Sequence, residues 1–161
     1  MPKAIISPFS KKMRNGAQKS SKDYPWWPEL VRLLRDNGYT VTQIGIDGED
    51  PIGADEFIKG LSFEKLKELA LKADIAISVD NFFQHLCDNV GKKCYVLFGQ
   101  SDPRIFGHTT NINILKDRKY LRSKQFDIWE VADILEDCFV APDKVMSIIK
   151  SGGINGIEEG L

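Results

Sequence analysis

Side chains able to do chemistry gather in two short runs, Asp80-Asn81-Phe82-Phe83-Gln84-His85 and Phe98-Gly99-Gln100-Ser101-Asp102-Pro103. Asp80 and Asn81 are types that cap helices. They follow the apolar run Ile75–Val79 and would open a helix over about 82–90, which Gly91 stops. Upstream, Lys11, Lys12, Arg14, Lys19 and Lys22 are set among Asn, Gly, Gln and Ser. That composition marks 10–22 as an exposed basic loop, either a solvated connector or an anion-binding element. The loop follows the first strand, so its charges hang over the same rim as Asp80, a placement suited to an anion such as a diphosphate. Asp47 and Glu49 lie just past the second strand, where nucleotide-binding folds hold ribose hydroxyls. Acidic residues there are also ordinary turn formers.

The elements that must hold these residues follow from the hydrophobic pattern. Apolar runs predict strands at Lys3–Ser7, 40–46, Ile75–Val79, Cys94–Phe98 and 111–115, with no more than a brief strand at Phe57-Ile58. A helix begins near Pro25-Trp26-Trp27-Pro28, where proline is tolerated in a first turn, and buries Leu30, Val31, Leu33 and Leu34 before Asn37-Gly38. Ser62 caps another helix, with Leu66, Leu69, Ala70 and Ala73 on one face. Its capping box is incomplete, because Lys65 stands where a Glu belongs. Two closing helices are expected over 129–139 and 143–149. Strands alternating with helices imply an α/β fold, a mostly parallel Rossmann-like sheet flanked by helices. Ligands of such sheets bind outside the carboxyl ends of the strands, where Asp80, Asn81 and the loop from Gly99 to Pro103 fall.

With 161 residues, 42% hydrophobic and 28% charged, the chain has room for one well-packed domain, expected over 1–150. The Gly-containing segment 151–161 is expected to be a flexible tail. A net charge of -1 gives no global attraction to nucleic acid or acidic membranes. No apolar run reaches the length of a transmembrane helix, and the opening MPKAIISPFS has no secretory core, so a cytoplasmic location is expected. Cys87, Cys94 and Cys138 are odd in number and lack CxxC spacing, which argues against a disulfide framework or a zinc site.

The runs quoted above resemble the carboxyl-terminal, donor-binding half of heptosyltransferase-type enzymes, glycosyltransferase family nine, whose two-domain architecture is called GT-B. In that family the half carries Asp-[Ser/Thr]-x-x-x-His, matched by Asp80–His85 with Asn81 in place of the hydroxyl residue, and then [Phe/Tyr]-Gly-x-[Ser/Thr]-Asp-Pro, matched by Phe98–Pro103. Ser7-Pro8 and Lys22-Asp23-Tyr24-Pro25-Trp26 are similar to its Pro-Gly-x-Ser and Lys-x-Trp-Pro elements, and Gly45–Glu49 to its Gly-x-x-Glu turn. The likeness covers roughly 3–115, in the family's order. It implies a nucleoside-diphosphate sugar as donor, transfer with inversion, and no obligatory metal or other cofactor. It places Lys22 on the diphosphate, with Lys19 and Arg14 as local alternatives, and Glu49 on the ribose. Asn81, Phe82 and Phe83 would offer backbone N–H groups, and Asp80 would contact the sugar. His85, at i+4 from Asn81 and leaning toward the helix start, would donate to a phosphate oxygen as the leaving group gains charge. Ser10, Gly99, Ser101 and Asp102 complete the implied donor site.

Other readings stay open. Asp80 also reads as a helix cap, His85 as an interior histidine, His108 as a turn residue, and Phe82 and Phe83 as core. One of Trp26 and Trp27 packs inside while the other covers a base or acceptor. The acceptor-binding half of a GT-B enzyme has no room in this chain. It is therefore a compact transferase with Asp23, Asp80 or Asp102 as general base, a donor-binding subunit whose partner (a separate chain or a second copy) faces the cleft, or a binding module without turnover. A glycan is the acceptor that the resemblance implies. A hydroxylated nucleobase in phage-type DNA is the other, motivated by the basic run beside Tyr24, Trp26 and Trp27.

Overall fold

The computed structural model describes residues 1–10, 20–129 and 132–153. Its strands are β1 (Lys3–Ser7), β2 (Thr40–Gly45), β3 (Glu56–Lys59), β4 (Ile75–Val79), β5 (Cys94–Phe98) and β6 (Ile112–Leu115). The helices are α1 (Trp27–Asp36), α2 (Phe63–Lys72), α3 (Phe82–Asn89), the single turn α4 (Pro103–Phe106) and α5 (Pro142–Lys150). All six strands pair in parallel in the order β3-β2-β1-β4-β5-β6. Central strands of a parallel sheet are covered on both faces and so read as continuous apolar runs. β5 is buried at every residue and β4 at all but its first, whereas the edge strand β3 has no buried residue. This is the Rossmann-like α/β fold expected from the alternation of elements.

Two cores sandwich the sheet. Ile6, Ile77 and Leu97 face α1 and α5 and pack with Leu30, Leu34, Val145 and Ile148. Ile5, Ala76 and Val96 face the other way, onto Leu66 and Ala70 of α2 and Phe83 and Leu86 of α3. The period of two along each strand thus serves both layers. α1 carries Pro in its first turn and buries Trp27, Leu30, Val31 and Leu34; Asn37 caps it, and Gly38, with φ +89°, turns the chain into β2. Ser62 caps α2 by accepting the Lys65 N–H at 3.3 Å, without help from a capping-box carboxylate.

Three boundaries differ from the sequence pattern. The expected helix over 129–139 does not form in its described part, where Glu136–Cys138 make one 3-10 turn. Ile134, Leu135, Cys138 and Phe139 have helical spacing, but Ile134 and Leu135 are exposed and only Cys138 and Phe139 reach the core. The segment's backbone serves another purpose: the Asp133 carbonyl accepts from Gln100 Nε2 at 2.6 Å. β2 stops at Gly45, because the Ile46 N–H is taken by Glu49 Oε1 at 2.8 Å. Finally, Ser151, Gly152 and Gly153, expected in the tail, form the closing turn of α5, with Gly153 against Ile112. Residues 154–161 of that tail lie outside the described residues.

The thiols of Cys87, Cys94 and Cys138 are all free and buried. Burial pushes Cys94 well up, and Cys138 up to about 12, so both are inert as nucleophiles at neutral pH. Among the described residues, no helix is long and apolar enough to cross a membrane.

Gly99, just after β5, has no space for a side chain. A methyl there would sit 2.6 Å from Cys138 Sγ and 2.8 Å from the Phe139 ring. Gly99→Ala is expected to cost about 1–3 kcal/mol through overpacking, read as a lower urea midpoint. An unchanged midpoint would mean that the 3-10 turn yields freely.

Candidate functional site

The strand order reverses between β1 and β4, which run side by side from different halves of the sheet. At such a switch point the loops leaving the two strands part in opposite directions and open a crevice. Ser7 ends one strand, and Asp80 and Asn81 follow the other. The Asn81 amide closes the base of this crevice. Its Nδ2 lies 3.0 Å from Ser7 Oγ, 3.2 Å from Ser7 O and 3.1 Å from Phe9 O, while Oδ1 accepts the Phe83 N–H at 3.0 Å. Asn81 is therefore the N-cap of α3, and Asp80 is not. A Ser or Thr hydroxyl could cap α3 but has one hydrogen to give; the amide also reaches the turn leaving β1.

Asp80 is buried, at 7% exposure. Its Oδ1 accepts from Gln84 Nε2 at 2.6 Å, and the Lys22 ammonium lies 3.2 Å from Oδ2, close enough for an ion pair but not aligned as a hydrogen bond. The same ammonium sits 4.7 Å from the centre of the Trp129 ring and 5.6 Å from that of Phe106. Arg122 meets the Trp129 ring as well, at 4.8 Å. Lys22 is thus held over the carboxyl rim between one carboxylate and two aromatic faces.

Asp23 holds Ser10 and Ser20, which flank the basic run, beside one another. Its carboxylate accepts from the Ser10 N–H at 3.0 Å, the Ser10 hydroxyl at 3.2 Å and the Ser20 N–H at 3.1 Å. Burial pushes the Asp23 carboxyl above its ordinary 3.8, and those three donors pull against that rise. Lys11, Lys12, Arg14 and Lys19 lie outside the described residues. Trp27 is buried, its indole N–H donating to the Pro8 carbonyl at 3.1 Å, and Tyr24 packs edge-on against Trp26, Trp27 and Phe139.

Glu49 lies past β2 on the same rim, curled back so that its carboxylate fills the space beside Gly45. Asp47 is exposed in the same turn. Phe82 is half exposed and meets Phe63 edge-on, whereas Phe83 is core. His85 is exposed, and its Nδ1 lies 2.6 Å from Nε2 of His108. Two histidines far apart in sequence are thereby brought together.

The loop after β5 is built into the structure. Ser101 and Asp102 are buried, and Asp102 caps α4 through the Arg104 N–H. Arg118 grips both oxygens of Asp102, at 3.1 and 2.8 Å. Gln125 accepts the Asp102 N–H at 2.8 Å and donates to the Gln100 carbonyl at 2.9 Å. Burial works to raise the Asp102 carboxyl, but the Arg118 hydrogen bonds, the Arg104 N–H and both guanidinium charges outweigh it and hold the group below 3.8. Gln84, Arg118, Arg122, Gln125 and Trp129 carried no local sequence signal. They act only through contacts that the fold creates.

A separate groove of about 590 Å³ lies at the opposite, amino rim, lined by Pro28, Val31, Tyr39 and Ile52 among others. Its charges pair with one another, Arg32 with Asp36 and Arg35 with Asp55. Among the described residues, no group of three or more His, Cys, Asp or Glu is arranged to hold a metal.

No protein-family model matches this chain, and no curated protein matches it in sequence. Solved structures do. It is similar to a dodecameric iron-containing heptosyltransferase, TibC, in complex with ADP-D-β-D-heptose, with a TM-score of 0.68 and 18% identity over 93% of this chain and 45% of that one. It is also similar to ADP-heptose LPS heptosyltransferase II of E. coli, with a TM-score of 0.66 and 14% identity over 93% and 46% of the two chains. The E. coli heptosyltransferase WaaC with ADP gives 0.61 and 16% over 93% and 44%. The chain thus spans less than half the length of these proteins and shares the fold of that portion.

The Asp102–Arg118 grip sets an expected pH dependence. Because the folded carboxyl is held below 3.8, its ionised form favours the fold; that contribution is complete above 3.8 and is lost as pH falls through the lower folded value. Arg118→Gln should lower stability at pH 7 by about 1–3 kcal/mol. Its deficit against the native chain should shrink in denaturation below pH 3.8. A deficit independent of pH would show that Arg118 acts by packing alone.

Proposed function

We propose that this chain binds a nucleoside-diphosphate sugar at the β1/β4 switch point and serves as the donor-binding body of a glycosyltransferase. The observation that carries this reading is the Lys22–Asp80 pair beside the N-terminus of α3. A helix start and a lysine are together a ready anion site. A diphosphate carries more negative charge than Asp80 and draws the Lys22 ammonium toward itself. Asp80 then remains held by Gln84, next to the sugar that the diphosphate carries. Glu49, on the neighbouring strand end, accepts from the ribose hydroxyls, and Ser10, Asn81 and the N–H groups of Phe82 and Phe83 line the phosphate side. Gly99, Ser101 and Asp102 give the facing loop its shape, and His85 donates to the departing phosphate. Structural neighbours solved with ADP and with an ADP-heptose support this reading.

Transfer on this reading proceeds with inversion, without a metal, and in the cytoplasm. The acceptor hydroxyl needs a general base. Asp23 suits that role best, because burial has already raised its proton affinity, whereas Asp102 is lowered and gripped by Arg118. A glycan is the favoured acceptor. For a hydroxylated base in phage-type DNA, Tyr24, Trp26 and Trp27 are the stacking candidates; Tyr24 and Trp27 are buried, which leaves the partly buried Trp26.

A second reading is favoured by one specific observation, the match to under half of each neighbour. On that reading the chain is the donor-binding subunit of a larger assembly, or a binding module without turnover, and a partner meets the half-exposed Phe82 and exposed Phe63 and Phe126.

A thermal-shift screen with ADP, UDP, GDP and their sugars tests the proposal. One of them should stabilise the fold by about 2.7 kcal/mol at a hundredfold excess over its Kd. Lys22→Ala should abolish that gain. Acceptor-dependent release of nucleoside diphosphate, lost in folded Asp80→Ala, marks a transferase; saturable binding without release marks the subunit or module. If no nucleoside diphosphate raises the melting temperature, the reading fails.

A further inference from the structure

His85 is the outer end of a chain of polar groups that closes on the helix bearing it. Its Nδ1 lies 2.6 Å from Nε2 of His108, with the two rings nearly perpendicular at 82°. Nδ1 of His108 lies 3.2 Å from Oδ2 of Asp88. The other oxygen of Asp88 accepts from the Thr110 hydroxyl. Among the described residues, Asp88 is the one carboxylate paired with either imidazole. The segment carrying His108 is itself held, because its carbonyl accepts from the Asn111 N–H and from Asn113 Nδ2, each at 3.1 Å.

The hydrogen count along this chain has one solution for neutral rings. A carboxylate only accepts, so His108 Nδ1 must carry its hydrogen. A neutral imidazole has one N–H, so His108 Nε2 is then an acceptor, and the hydrogen between the rings belongs to His85 Nδ1. The remaining lone pair lies on His85 Nε2. A proton taken from water at that atom makes His85 a double donor, inward to His108 and outward to an oxyanion. The Asp88 carboxylate at the far end balances the added charge, as the buried aspartate of a Ser-His-Asp array does for its imidazolium.

We infer that His108 and Asp88 are positioning residues that fix His85 in its Nδ1–H tautomer, so that Nε2 is the atom left to take up a proton and, once protonated, to donate to the terminal phosphate of a bound nucleoside diphosphate. This rests on the proposed donor site for its ligand, but the tautomer is a property of the free protein. His85 and Asp88 share one helix face at i,i+3, and His108 spans them from the segment after α4.

The test uses the full chain labelled with 15N in its histidines, whose ring shifts distinguish the tautomers. At neutral pH the native protein should show Nδ1–H for both rings. Asp88→Ala and His108→Ala, at partly exposed positions, should leave the fold intact and release His85 toward Nε2–H. ADP, UDP and GDP are then titrated in. The responding nucleotide should move His85 Nε2 in the native chain, and its affinity should fall about tenfold in Asp88→Ala, the scale of one weakened charge-assisted hydrogen bond. His108→Gln, whose amide oxygen can still accept from His85, should lose less affinity than His108→Ala. A His85 tautomer that is the same in all variants overturns the relay. If the expected tautomers appear but a nucleotide that raises the melting temperature moves no histidine signal, the phosphate-facing role of His85 is overturned while the donor site stands; if no nucleotide raises the melting temperature, both fall.

Discussion

One amide ties the two halves of the sheet together where it matters. The strand order reverses between β1 and β4, so the loops leaving them have no reason to stay close. Asn81 removes that freedom: it caps α3 with its oxygen and reaches Ser7 and Phe9 with its nitrogen. The start of α3 is thereby fixed relative to the turn after β1, and so is the entry to the basic loop. Lys22, Asp80 and Glu49 reach one rim because the strands beneath them share a parallel register. The Asn81 contacts give the crevice between them a defined shape.

Among the described residues, charge is paired around that shape. A buried carboxylate such as Asp80 is costly without partners, and here Gln84 and Lys22 supply them from opposite sides. The ammonium is in turn held against aromatic rings on a segment remote in sequence, Phe106 and Trp129. On the other side of the rim, Asp102 and Arg118 make a fully ligated pair that shapes the Gly99–Asp102 loop. The two acid–base pairs differ in kind. Arg118 meets Asp102 through two aligned hydrogen bonds, whereas Lys22 meets Asp80 as a displaced point charge, the pairing an incoming anion disturbs more readily.

Much of this was readable in advance. The central strands announced themselves because a two-sided core demands unbroken apolar runs, and Ser62, Asn37-Gly38 and Gly91 marked helix ends by local chemistry. The rim residues could be placed once the βα alternation was known. What stayed hidden depended on contacts between distant segments. Nothing near Gln125 shows that it will bridge Gln100 and Asp102, and nothing near Trp129 shows that Lys22 will rest on it. The helix expected over 129–139 does not form in its described part for the same reason: its apolar spacing is genuine, but the sheet has no further face for Ile134 and Leu135. The paired aromatic residues Trp26 and Trp27 were separable only by burial, with Trp27 anchoring Pro8.

The single carboxylate at Asp23 has a consequence for how such a chain can change over time. It receives hydrogen bonds from both Ser10 and Ser20, so these two residues are pinned beside one another. Doubling the length between two such anchors adds only about 0.6 kcal/mol of closure entropy. A change of length between those serines therefore adds little to the cost of holding both on Asp23. A lineage carrying this clasp can vary the length of chain between its two serines while the clasp itself stays constant.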